Sequence, residues 1–328
     1  MPNFKLEVLK ISFFVFLTLF VFANRVIAAD SRVLGIHILR PEEISQAKSL
    51  LLEENQEEWK YITIPLSLED LNRKDNWQEF FWKAKEAKFI PIVRLVTRFD
   101  NESWQLPNKK EITNQISFLS SLEWPTPERH IIVLNEVNHA PEFGGQIDPS
   151  RYAKILEFTS NWAHSEAKNY KVLPAAMDLA ASNTSQTMEA FLYLEKMYAA
   201  NPEVFDTLDY WNSHSYPNPG FVSSPTRHDK KSLRGFEHEL AFVKDKTGKD
   251  LQVFITETGW RDTSATSRWL DSYYEYAMQH IWSDPRIKAV TPFILQGSPG
   301  PFAAFSFLDE AGQPNRQYYA YRNLIEKY

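Results

Sequence analysis

Cysteine is absent from all 328 residues, so the chain has no disulfide, no lipid-modified cysteine and no thiolate metal site. Long basic clusters are missing too, and the net charge is −6. Grouped Lys and Arg are what phosphate binding needs, so nucleic acid is not an expected partner. No glycine-rich turn follows the first apolar strand pattern, "VLGIHI" (33–38), which argues against a dinucleotide-binding open sheet. The HExxH zinc pattern is also absent. Glu136-Val137-Asn138-His139 has the Glu-x-x-His spacing of di-iron bundles, but it follows a strand pattern and has no second copy. No metal or cofactor is expected. Linkers, low-complexity tracts and repeats are lacking as well, which leaves one large domain.

Hydrophobic residues make up 43% of the chain, ample for a sizeable core, and 10 Trp, 14 Tyr and 23 Phe supply many aromatics. Most must be core, although exposed ones could stack on sugar rings. At the N-terminus, Lys5 and Lys10 precede "ISFFVFLTLFVFA", and small residues follow at Ala28-Ala29. A positive start, a short apolar run and small residues describe a secretory signal peptide over 1–29, ahead of a domain at 30–328. The protein is then expected to be secreted, periplasmic or at the cell surface. It would be membrane-anchored only if that segment stays uncleaved. "NES" at Asn101 and "NTS" at Asn183 are glycan acceptors where the host modifies exported proteins.

Beyond the leader, β-branched runs alternate with helix-length amphipathic segments. Strand patterns fall at 33–38, 61–66, 89–96, 131–136, 171–177, 208–214, 251–257 and 289–295. Eight strand–helix units predict an α/β fold, a (β/α)₈ TIM barrel in a single catalytic domain. Asp148-Pro149 reads as an N-cap with proline in the first turn, and Gly248 as a helix stop. The strand-to-helix loops are long and carry Pro, Gly and aromatic residues, whereas returns such as "TGKD" are short. In a barrel the long loops build the active face.

Two of these strands end alike. "HIIVLNEVNH" delivers Glu136 after an apolar run, and "LQVFITETGW" delivers Glu257 the same way. Two carboxylates converging on one cleft can cleave a glycosidic bond. One protonates the departing oxygen, and the other attacks the sugar or activates water. A retaining pair stands ~5–5.5 Å apart, an inverting pair ~6.5–9.5 Å.

At these residues the chain resembles the large clan of retaining glycoside hydrolases on the (β/α)₈ barrel, which includes many cellulases, mannanases and xylosidases. In that clan an Asn-Glu pair ends strand four and supplies the acid/base, which implies that role for Glu136 with Asn135 beside it. The nucleophile ends strand seven, which implies Glu257 in "ITETGW". "HSYP" resembles the clan's cleft-lining His and Tyr, here His214 and Tyr216. Arg94 in "PIVRLV" resembles the arginine that holds the nucleophile ionised. The tail "FSFLDEAGQPNRQYYAYRNL" resembles the clan's final segment. At strand eight many members carry a platform Trp, whereas "TPFILQGSPG" offers Gln296, with Phe302 the nearest aromatic.

Two further residues read either way. Trp260 is core or a wall of the sugar site, and His37 is structural or cleft-facing. The resemblance implies an exported retaining glycosidase acting on β-linked oligo- or polysaccharide. A barrel that binds carbohydrate without cleaving it is the alternative. Sugar, linkage and oligomeric state are not legible in the sequence.

Overall fold

The computed structural model describes residues 31–52, 58–167 and 169–328. The expected leader at 1–29 lies outside them. Among the described residues, no helix is long and apolar enough to cross a membrane.

The architecture is α/β. The strands are β1 (Ile36–His37), β2 (Lys60–Leu66), β3 (Phe89–Leu95), β4 (Arg129–Val133), β5 (Tyr170–Pro174), β6 (Trp211–Ser213), β7 (Val253–Ile255) and β8 (Ile287–Val290). Each is followed by a helix: α1 (Ile44–Leu51), α2 (Lys74–Glu86), α3 (Lys109–Ser120), α4 (Pro149–Glu166), α5 (Ala190–Ala200), α6 (Gly235–Thr247), α7 (Leu270–Ala277) and α8 (Arg316–Lys327). Strands β1 to β5 pair in chain order in one parallel sheet, and β6 to β8 do so in another. The two sheets meet at both edges through single parallel bridges, Leu34 to Val290 and Asp178 to His214.

Strand side chains alternate in direction, so each strand serves two cores. Ile92, Ile132, Leu173, Phe254 and Ala289 form an inner cluster. Their neighbours Val93, Ile131, Val172, Ile255 and Val290 face the helices in the main cluster. Gly35 lies where β2 and β8 close in. A Cβ there would stand 2.1 Å from the Tyr61 carbonyl oxygen, so only glycine fits.

The caps form as the sequence predicts. Asp148 accepts from the Arg151 N–H at 2.9 Å with Pro149 in the first turn, and Gly248 ends α6 at φ 74°. Helix α8 fastens onto the first unit: Tyr321 Oη donates to the Gly35 carbonyl at 2.9 Å, and Tyr318 Oη to that of Ser49 at 2.8 Å. Arg322 adds a bond to the Leu52 carbonyl at 2.8 Å.

The strands stop earlier than their apolar patterns. β4 ends at Val133, and the backbone then turns left-handed at Leu134 (φ 69°) and Glu136 (φ 32°). β8 ends at Val290, and Pro292 has no N–H to continue the ladder. The loop after β3 holds an unexpected hairpin, Phe99–Asp100 against Ser103–Trp104.

A buried acid lies beneath β6. Ser213 Oγ donates to Glu239 Oε2, and the other carboxylate oxygen has no hydrogen-bond partner among the described residues. Burial pushes the Glu239 carboxyl up to about 7, despite the Ser213 bond that lowers it. The folded state therefore holds a proton that the unfolded chain loses near pH 4.5, and stability falls as pH rises from there through about 7. Glu142, described below, acts in the same direction, so the informative quantity is a difference between proteins. Glu239→Gln is expected to match wild type near pH 4 and to be more stable by on the order of a few kcal/mol at pH 8. Denaturant melts at the two pH values check this, and an equal gap at both would refute it.

Candidate active site

The strand C-termini and their loops enclose a cleft of about 550 Å³, within the usual size for small-molecule sites. A second concavity of about 520 Å³ opens at the opposite strand ends, beside Trp59, Tyr61, Gln252 and Lys288, and gathers no convergent acids. Asn135, Glu136, Glu257, Arg94, Tyr216 and His37 all line the first cleft. His214 is buried just beneath and reaches both glutamates.

Glu257 is 7% exposed and held from two sides. Arg94 Nη2 donates to its Oε1 at 2.7 Å, and Tyr216 Oη to its Oε2 at 3.2 Å. Burial would raise its pKa, but the opposing influence of His214 and Arg94 outweighs it and brings the carboxyl down to about 2. Arg94 is the permanent cation of that group. His37 is held neutral, because burial and Arg94 lower its pKa to about 3. Its Nδ1 lies 3.3 Å from Arg94 Nη2, which can only donate, so Nδ1 is the accepting nitrogen. Burial and the Glu257 charge push the Tyr216 phenol up, so it stays a donor.

Arg94 also fixes Asn135. Its Nη1 donates to Asn135 Oδ1 at 2.6 Å, which turns the Asn135 amide nitrogen toward Glu142 Oε2 at 3.2 Å. The planar fork thus spaces two strand ends at once, a task a point-like ammonium cannot do. Glu136 has a different setting. It is bonded to His214 Nδ1 at 2.8 Å and stands at a left-handed backbone position. An L-residue there costs about 1–3 kcal/mol, strain of the kind that accumulates where a side chain must be aimed.

Glu136, His214 and Glu257 each offer one ligand-type atom within 4.8 Å of the others. A cation placed among them would face the Arg94 guanidinium, already bonded to Glu257, so the group suits carboxylate chemistry better than metal binding. The di-iron reading of Glu136 and His139 fails on geometry. Glu136 follows a strand, and His139 Nε2 is bonded to Asp178 at 2.9 Å.

Trp260 is corrected to a core residue. It is 1% exposed, its Nε1 donates to the Ser223 carbonyl at 2.8 Å, and its ring packs on Tyr273 and Tyr274. Gln296 is tied into its own loop by bonds to the Ser298 and Asp309 carbonyls. At that end Phe302, Phe305 and Phe293 all line the cleft, with Phe293 set edge-on to His37 at 5.2 Å and to Phe302 at 5.0 Å. Sequence reasoning missed Phe293 because it was placed inside strand eight.

It also missed a third carboxylate. Glu142 lines the cleft, and burial together with the Glu136 charge pushes it up to about 7. The His139–Asp178 pair completes that wall, whereas Asp178 reads from sequence as a surface or capping acid. Its Oδ1 accepts from the Ala180 N–H at 2.8 Å in a tight turn rather than at a helix start, and it faces the cleft. The only sequence signal for these residues is their position in loops that follow strands.

The fold is shared with solved glycoside hydrolases. A monomeric β-xylosidase from Caulobacter crescentus CB15 superposes with a TM-score of 0.61 at 14% identity, covering 89% of this chain and 67% of that one. A family 39 glycoside hydrolase from the gut symbiont Bacteroides cellulosilyticus WH2 gives 0.63 at 14%, covering 90% and 64%. This chain spans about two thirds of the length of each. A β-glucanase from Saccharophagus degradans, solved with cellotetraose, gives 0.54 at 13%, covering 90% and 88%. At these identities the likeness is one of fold. No family model matches the chain, and no curated protein matches it.

Proposed function

We propose that this chain is an exported retaining glycoside hydrolase that cleaves β-linked O-glycosidic bonds, built on a closed (β/α)₈ barrel. The bridges at both sheet edges support closure, and the apolar leader read at 1–29 supports export. One observation carries the enzymatic reading. Glu257, ionised by Arg94, faces Glu136 across a cleft with an oxygen of each within 4.8 Å. That spacing suits a pair with the sugar carbon between them, and leaves little room for the interposed water of an inverting site.

Glu257 attacks the anomeric carbon while Glu136 gives its proton to the departing oxygen, so the glycosidic bond breaks and a glycosyl ester forms. Glu136, now a carboxylate, takes a proton from water, whose oxygen displaces Glu257. Two displacements at one carbon restore the starting configuration. Arg94 and Tyr216 stabilise Glu257 as it departs, and Asn135, held by Arg94, lines the cleft beside Glu136. The solved β-glucanase complex with cellotetraose supports a β-linked oligosaccharide as substrate.

A panel of β-linked oligosaccharides, followed by proton NMR from the first minutes, tests this. The first-formed hemiacetal is expected to be β, with α appearing only through mutarotation. An α product formed first overturns the retaining mechanism. No hydrolysis across the panel overturns the enzyme and leaves a carbohydrate-binding barrel.

A further inference from the structure

We propose that the hairpin after β3 is a sugar-binding platform that extends the cleft, so that the protein grips a β-linked chain beyond the reacting units. The inference rests on the glycosidase reading of the cleft and deepens it. Trp104 lines the cleft, and its cross-strand partner Phe99 continues the aromatic surface outward, ring centroids 5.4 Å apart at 67°. Phe99 is 59% exposed, although burial of such a ring is worth about 1.5–3 kcal/mol. Leu39, Pro65 and Val96 carry the same apolar rim back to the cleft.

The hairpin is built to hold this shape. Asn101 (φ 50°) and Glu102 (φ 62°) both adopt left-handed backbone at its turn, where glycine is the usual occupant. The rest of the loop offsets that strain. Gln105 N–H donates to the Arg98 carbonyl at 2.9 Å, its side chain to that of Asp100 at 2.9 Å, and Gly144 N–H to that of Trp104 at 2.8 Å. A rigid, exposed aromatic pair continuous with a cleft fits the apolar C–H faces of pyranose rings, and Asp100 and Arg98 beside it offer partners for their hydroxyls.

The test uses the full chain with Glu257→Gln, so that polymer is not cut during the measurement. Native gels containing mixed-linkage β-glucan, glucomannan or xylan should retard it in at least one case. Adding Phe99→Ala or Trp104→Ala should weaken that Kd about tenfold at unchanged Tm, and Phe99→Trp should restore it. Retardation by none of the polymers, or equal retardation with and without Phe99, overturns the platform. Hydrolysis of aryl β-glycosides by the unmodified chain is scored separately. Hydrolysis without polymer retention rejects the platform alone. Retention that depends on Phe99, with no hydrolysis, rejects the glycosidase reading alone.

Discussion

Glu257→Ala is expected to abolish turnover of natural linkages and of dinitrophenyl glycosides alike. An activated leaving group removes the need for an acid, but nothing removes the need for a nucleophile. The loss should exceed the ~10²–10⁴-fold that a positioned acid supplies. Removing this carboxylate also strands the Arg94 guanidinium, 6% exposed and now without its anion, a costly arrangement. Glu257→Gln, whose single amide oxygen can still accept from Arg94 while its amide nitrogen faces the Tyr216 oxygen, separates lost chemistry from lost structure. Azide gives the sharpest readout. In the space left by alanine it attacks from the side Glu257 occupied and yields an α-glycosyl azide from a β-glycoside. Substantial turnover of the activated substrate without azide would reject Glu257 as nucleophile.

Glu136→Ala should behave differently with each substrate. Natural oligosaccharides, whose departing alcohols need a proton, are expected to lose ~10²–10⁴-fold. With a dinitrophenyl glycoside the first displacement survives. The glycosyl-enzyme then builds up as a burst, because no base remains to activate water. Azide should relieve that second step and give a β-glycosyl azide, the opposite anomer to the Glu257 variant. Swapped anomers between the two variants would reverse the roles. Equal, mild losses in both would leave only the carbohydrate-binding reading.

The strand–helix alternation was legible because buried strands and amphipathic helices impose different periods on the same hydrophobic residues. Each of the eight strands falls within a residue or two of the start of its pattern, or inside it. The ends were less legible. Apolar residues continue past Val133 and Val290, yet what stops a strand there is backbone conformation at Leu134 and the missing N–H of Pro292. That displacement hid Phe293. Trp260 was ambiguous for a different reason, since an indole two residues beyond Glu257-Thr258 serves a core or a sugar equally well. Its direction depends on where Tyr273 and Tyr274 of α7 arrive. Glu142 and Asp178 carry no periodic signal at all. Their place in the cleft depends on how the loops after β4 and β5 fold over one another, with Asn138 bonded to the Asp178 backbone at 3.0 Å.

The fastening of α8 to Gly35, Ser49 and Leu52 also bears on biosynthesis. Strand β1 emerges from the ribosome with one flank open, and the partners that cover it, β8 and α8, follow only after the six other strands. The earlier-formed unit must therefore wait, apolar and incompletely paired, until β8 and α8 have been made. Contacts of such long sequence separation close slowly, and the interval is when a nascent chain is most exposed to aggregation. Holding factors that bind this chain during synthesis should accordingly favour the segment from β1 to β3 over α8.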